Sequence, residues 1–130
     1  MHKFILDKWS PQILSLLRIV TAFLFIWHGT SKFFHYPMDM GQMSLFSLMG
    51  LAGVLEIVGS VLLILGLFTK PAAFVLSGEM AVAYFMAHAP MGFLPLVNHG
   101  EDAVLFCFVF LYLAAAGGGP ISLDAVMRKK

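Results

Sequence analysis

Four long apolar stretches, Ile13–Phe34, Leu45–Phe68, Pro71–Ala89 and Ala103–Gly117, occupy most of this 130-residue chain. A bilayer core about 30 Å thick needs roughly 20 helical residues, and the first three stretches meet that length. The fourth supplies only about 22 Å of helix, so it is expected to begin earlier, within Asn98–Asp102. The expected fold is all-α: an integral membrane four-helix bundle, one transmembrane domain over residues 1–130. Its helices are placed at about 12–34, 45–68, 71–89 and 99–117. Composition leaves little room for another class. With 60% hydrophobic residues, the 8 Lys and Arg and 7 Asp and Glu cannot cover a soluble domain of this length. A net charge of +1 without a basic, aromatic-interleaved patch gives nucleic acid nothing to bind. Cys107 is the only cysteine, so an intramolecular disulfide is excluded.

Charge sets the expected orientation. With four spans, the N-terminus, the Thr69–Lys70 turn and the C-terminus share a side that carries Lys3, Lys8, Lys70, Arg128, Lys129 and Lys130. The other side has Lys32 against Asp39, Glu101 and Asp102. Positive residues mark the cytoplasmic side, which predicts both termini inside. The first stretch contains Arg18 and lacks a small-residue cleavage site, so it reads as a retained span rather than a signal peptide. Thr69 is expected to cap the third helix, with Pro71 at its first position. The apolar segment Pro90–Gly100 is expected to lie on the bundle or dip into it, because backbone at that depth needs protein cover. Glycines at 50, 53, 59 and 66 on the second helix point to close packing.

Ionisable groups inside spans are costly and normally face a bundle interior or cavity. Here they are Arg18, His28 and Lys32 on the first helix, Glu56 on the second, and Glu79 and His88 on the third. At about 100° per residue, Arg18, His28 and Lys32 share one face. Counted at about 1.5 Å per residue from the cytoplasmic ends, Arg18, Glu79 and Glu56 lie about 10 to 17 Å in. His28 and His88 lie about 25 Å in, with Lys32 beyond them. Two clusters are therefore expected. The inner is a structural ion pair of Arg18 with Glu56 or Glu79, which leaves one carboxyl in surplus. The outer gathers His28, Lys32, His88 and Glu101 or Asp102. Glu79 and His88 conflict, since nine residues set them about 180° apart on a straight helix.

The outer cluster is the expected ligand site. Histidine exchanges protons near working pH, and Phe33, Phe34, Tyr84, Phe85 and Phe93 suit a flat apolar ring. A quinone headgroup is the reading preferred, held by His28, Lys32, His88 and Glu101. Bis-histidine haem ligation gains no specific support from Lys32 beside it. Met38, Met40 and Met43 resemble a soft copper(I) site, but interfacial packing explains them better, and no metal site is expected.

These residues also carry a family resemblance. Arg18…His28-Gly29…Lys32-Phe33, then Gly53-x-x-Glu56-x-x-Gly59 and Gly66-Leu67-Phe68-Thr69, resemble the pattern of the DoxX family of small membrane proteins. His88, Asn98-His99-Gly100-Glu101 and the closing Gly117-x-Gly119-Pro120-Ile121-Ser122-Leu123-Asp124 continue it. The resemblance implies a four-helix bundle in a bacterial or archaeal cytoplasmic (inner) membrane. Some members are subunits of thiosulfate:quinone oxidoreductases or join membrane redox complexes. It makes an oxidoreductase component working with the quinone pool the expected function. The lipid bilayer is the first partner, and a redox protein or a second copy of the chain are further candidates. A small proton-coupled transporter or efflux subunit, using Glu56 and Glu79, is the rival, and a scaffold for a redox complex a third reading.

Overall fold

A computed structural model describes residues 3–41 and 44–129 of the chain. Met43 of the methionine reading and Lys130 of the charge argument lie outside the described residues. Among the described residues six α-helices follow in order: α1 Ser10–Phe33, α2 Leu48–Leu65, α3 Thr69–Ala83, α4 Pro95–Asn98, α5 Glu101–Ala116 and α6 Leu123–Arg128. A 3-10 turn precedes α1, and α3 runs on through a π-helical turn, Tyr84–His88, and a 3-10 turn, Ala89–Met91. No strand occurs among the described residues.

Among the described residues three helical runs are long and apolar enough to cross a membrane: Asp7–Phe33, Leu48–Leu65 and Thr69–Met91. The 16 residues of α5 make a helix of about 24 Å, apolar throughout after Asp102. Phe23, Leu24, Leu51, Val58, Phe74 and Leu105 all point outward and are exposed. A contiguous apolar exterior of this kind is stable against acyl chains and not against water. The chain is a multi-pass membrane protein.

The helices pack as two antiparallel pairs, α1 along α2 and α3 along α5, joined by a thinner contact between α2 and α3. Small residues set the α1–α2 crossing. A Cβ on Gly29 would fall 2.6 Å from Ile57 Cγ1 and 3.0 Å from the Gly53 carbonyl, so the backbones meet where only glycine fits. Phe25, Phe110, Leu63, Leu76 and Leu113 fill the centre, with Phe25 and Phe110 edge to face at 5.0 Å.

The helix ends differ in detail from the sequence expectation. Ser47 caps α2, its hydroxyl accepting the Gly50 N–H at 3.0 Å, so the helix begins at Leu48 rather than Leu45. It stops at Gly66 (φ 69°), where the Leu67 N–H reaches the Leu62 carbonyl at 2.9 Å in a Schellman closure. Thr69 is not the cap of α3 but its first residue. The cap comes from the far end of the chain: the Asp124 carboxylate accepts the N–H groups of Phe68 at 2.9 Å and Thr69 at 3.0 Å. Burial works to raise the Asp124 carboxyl, but the Thr69 and Phe68 N–H donors and the Arg128 charge prevail and hold it below its ordinary value.

A carboxyl depressed on folding stabilises the fold above its unfolded value, near 3.9, and that contribution is lost as pH falls through the lower folded value. Asp124→Asn should therefore cost about 1 kcal/mol at pH 7. Thermal melts should show the gap between variant and wild type closing as pH falls below the unfolded value of about 3.9. A gap that persists in acid would mean that the carboxylate is not the cap.

Candidate functional site

At the opposite end of the bundle from Asp124, α1, α2, α3 and α5 diverge around a cavity of ≈ 820 Å³. Its walls are mostly aliphatic and thioether, with Met49, Met80 and Met86 among them. Into this apolar space come His28, Lys32, Glu56, Glu79, His88, His99 and Asp102.

The deepest polar group is an ion pair. Lys32 Nζ donates to Glu56 Oε1 at 2.7 Å, with the two side chains 7% and 3% exposed. Nζ also reaches back one turn to the His28 carbonyl at 3.4 Å. The Glu79 carboxyl lies against that of Glu56, and its buried Oε1 has no donor among the described residues. One lysine balances one carboxylate, so the second glutamate needs a proton or a hydrogen-bond donor from outside the protein. The His28 ring packs on Phe25 at 5.4 Å and Phe106 at 5.9 Å, within the field of Glu56, Lys32 and Asp102.

Arg18 is not part of this group, and its expected ion pair with Glu56 or Glu79 does not form. The guanidinium, 1% exposed, turns to the other end and donates to three carbonyls. These are Leu63 O at 2.7 Å, Ile121 O at 2.7 Å and Gly118 O. Counting Cα depth gave the wrong partner because side chains on a helix lean toward its N-terminus. Lys32 on α1 leans toward the Arg18 end and Glu56 on the antiparallel α2 leans toward the opposite end, so residues nominally in different layers meet. The expected inner and outer clusters are thus one cluster without its arginine.

The conflict between Glu79 and His88 is resolved by the π turn. Ala89 N–H bonds the Tyr84 carbonyl, five residues back. One extra residue in a turn rotates everything beyond it by about 100°, which brings His88 toward the face that carries Glu79. Both line the cavity.

His88 is also fixed in tautomer. Its Nδ1–H donates to the Asn98 carbonyl at 3.0 Å, and a carbonyl can only accept, so the neutral ring keeps a lone pair on Nε2. Asn98 is fully buried and ties the loop together. It donates to Tyr84 Oη at 3.1 Å and to Gly92 O at 2.9 Å, and accepts the Gly100 N–H at 2.8 Å. The segment does cover the bundle through Asn98, but Phe93, Leu96 and Val97 point outward and are exposed.

Other expected residues are placed elsewhere. Glu101 is exposed and is not in the cavity wall; its neighbour Asp102 is, since adjacent helical positions point about 100° apart. Of the aromatic set, Phe34, Phe85 and Phe93 are exposed, and Phe33 packs across Gly53. Tyr84 stacks on His88 at 6.3 Å, and the ring in the cavity wall is Phe106. His99 was missed as a site residue, although it follows Asn98 directly. The left-handed backbone at His99 (φ 60°) that swings it to the mouth has no strong sequence signal. No group of three His, Cys, Asp or Glu side chains poised to hold a metal ion occurs among the described residues.

Comparison with known proteins agrees with the pattern of these residues. A protein of Haemophilus influenzae, described as uncharacterized, is 51% identical over 131 residues, which covers 96% of this chain and 98% of that one. No solved structure matches. The model of the DoxX family matches residues 13–89, which hold the α1–α2 glycine crossing, the Lys32–Glu56 pair, Glu79 and His88, and the chain belongs to the DoxX family.

Proposed function

We propose that this DoxX-family protein spans the cytoplasmic membrane four times with both termini inside, and that its cavity binds a quinone headgroup as part of a membrane redox system. The observation that carries the reading is the cavity itself, apolar-walled, embedded among membrane helices, and equipped with both a hydrogen-bond donor and an acceptor for a ring oxygen. The His28 ring, with no hydrogen-bond partner among the described residues, supplies a donor at depth. The lone pair on His88 Nε2 supplies an acceptor toward the mouth. The Lys32–Glu56 pair holds charge in register at the base, and Asp102, rather than Glu101, connects the cavity to the outer surface. A bound quinone would supply the two-electron, two-proton chemistry that protein side chains lack.

The test is titration of the detergent-solubilised protein with quinone analogues. His28→Ala and His88→Ala should each weaken binding by about tenfold to a hundredfold, one lost hydrogen bond of about 1 to 3 kcal/mol. Thermal unfolding checks that the bundle persists. Wild-type affinity in both variants, or no binding by the wild type, would sink the proposal. One observation favours a second reading, a proton-coupled transporter: the Glu79 carboxyl that lacks a donor. Substrate-driven proton flux in vesicles that Glu79→Gln abolishes, without quinone binding, would establish it.

The orientation has its own check. In a Cys107→Ala background, a cysteine replacing Val97 should react with an impermeant maleimide from outside, and one replacing Lys129 should not. The reverse labelling would put the cavity mouth in the cytoplasm.

A further inference from the structure

The ligand cavity does not end at its polar base. A second hollow of ≈ 270 Å³ runs along the seam between α2 and α3 toward the Thr69 end. Leu55 and Val75 line both spaces, so the two lie side by side with this pair of side chains as their shared wall. The nine residues lining the second hollow, Val58, Leu62 and Ala72 among them, include no polar side chain. Across this seam α2 and α3 pack less closely than the helices within either pair. Its outward edges, Val58, Phe68 and Val75, are exposed on the apolar exterior.

We propose that this seam is the tail groove of the ligand: the molecule bound in the cavity carries a long prenyl or alkyl chain that lies between α2 and α3. The inference rests on the quinone reading and narrows it to a lipid-tailed ligand that reaches the cavity from the membrane. Three features select the occupant. A head in the cavity would have its substituent continue past Leu55 and Val75, the shared wall. A groove lined by no polar side chain suits a hydrocarbon chain and no peptide, because an extended backbone would leave its amides unpaired there. Gly78, on the same face of α3, lines the polar cavity with nothing within 4 Å of where its Cβ would stand, which leaves the path from lipid to head clear.

The experiment compares two probes, a benzoquinone bearing a decyl chain and the same ring with only a methyl group, on the solubilised protein. Ala72→Phe and Val58→Phe fill the groove from opposite walls without touching the polar cavity. Each should weaken the decyl probe by about tenfold relative to wild type, the equivalent of about two buried methylene groups, and leave the methyl probe unchanged. Detergent partitioning of the decyl probe is common to all proteins and cancels in the ratio. Equal affinity of the decyl probe in wild type and both variants would overturn the tail groove while the quinone reading stands. Parallel loss of both probes would likewise overturn it, by showing that the substitutions disturb the cavity instead. If neither probe binds the wild type, the quinone reading falls and the groove proposal falls with it.

Discussion

Replacing Arg18 with methionine should destabilise the fold more than any other single substitution, by about 4 kcal/mol or more. The guanidinium is nearly inaccessible and binds carbonyls from α2 and from the Gly118–Ile121 turn together. Each charge-assisted bond is worth about 1.5 to 3 kcal/mol. Without the arginine the Gly118 carbonyl keeps the Ser15 hydroxyl and the Leu63 carbonyl keeps the Gly66 N–H, but the Ile121 carbonyl loses its side-chain donor. The same turn receives Ser15, whose hydroxyl donates to Gly118 O at 2.9 Å and accepts the Ile121 N–H at 3.0 Å. It leads directly into Asp124 and the cap of α3. The arginine is therefore the keystone of the end that joins the two helix pairs. Arg18→Lys should recover only part of the loss, because one ammonium cannot present a planar fork to carbonyls on separate elements. Denaturant unfolding in detergent measures this. A methionine variant within about 0.5 kcal/mol of wild type would refute the assignment. So would rescue of Arg18→Met by Glu56→Leu, the result expected only if Arg18 were paired with Glu56.

What the sequence made legible follows from the physics of each signal. Span length and hydropathy are long-range averages, so they located α1, α2 and α3 to within a few residues. They misjudged ends such as Leu48 and Thr69, which single hydrogen bonds from Ser47 and Asp124 decide. The glycines of α2, Gly53 among them, made close packing legible because a missing side chain has few other uses in lipid, but their counterpart Gly29 on α1 was not read as a crossing point. The site was harder. That His28, Lys32, Glu56, Glu79 and His88 matter could be read from their cost in hydrocarbon. Who pairs with whom could not. Arg18 found carbonyls instead of a carboxylate, and Lys32 took Glu56, because side-chain lean and length exceed the spacing between layers. The π turn is likewise silent in the residues Tyr84–His88, yet it decides which face His88 presents.

The Lys32–Glu56 pair yields the second large effect. Lys32→Met leaves the adjoining carboxyls of Glu56 and Glu79 without a cation in a medium that screens poorly, at a cost of about 3 to 5 kcal/mol. Glu56→Met should cost less, because the neighbouring Glu79 carboxyl remains to take up the Lys32 charge. The double variant, with two thioethers in place of the pair, should be far more stable than the sum of the single losses predicts, since a buried ion pair owes much to what its removal exposes. A coupling energy of about 2 kcal/mol or more in that cycle, from unfolding in detergent, is the expected result. Additive losses would mean that the two side chains do not meet. The same double variant separates stability from function. If the pair serves only to hold α1 against α2, the refolded double variant should bind the methyl probe like wild type. If the pair forms the polar base of the ligand cavity, binding should fall while the melt recovers, and that divergence is the outcome the cavity geometry predicts.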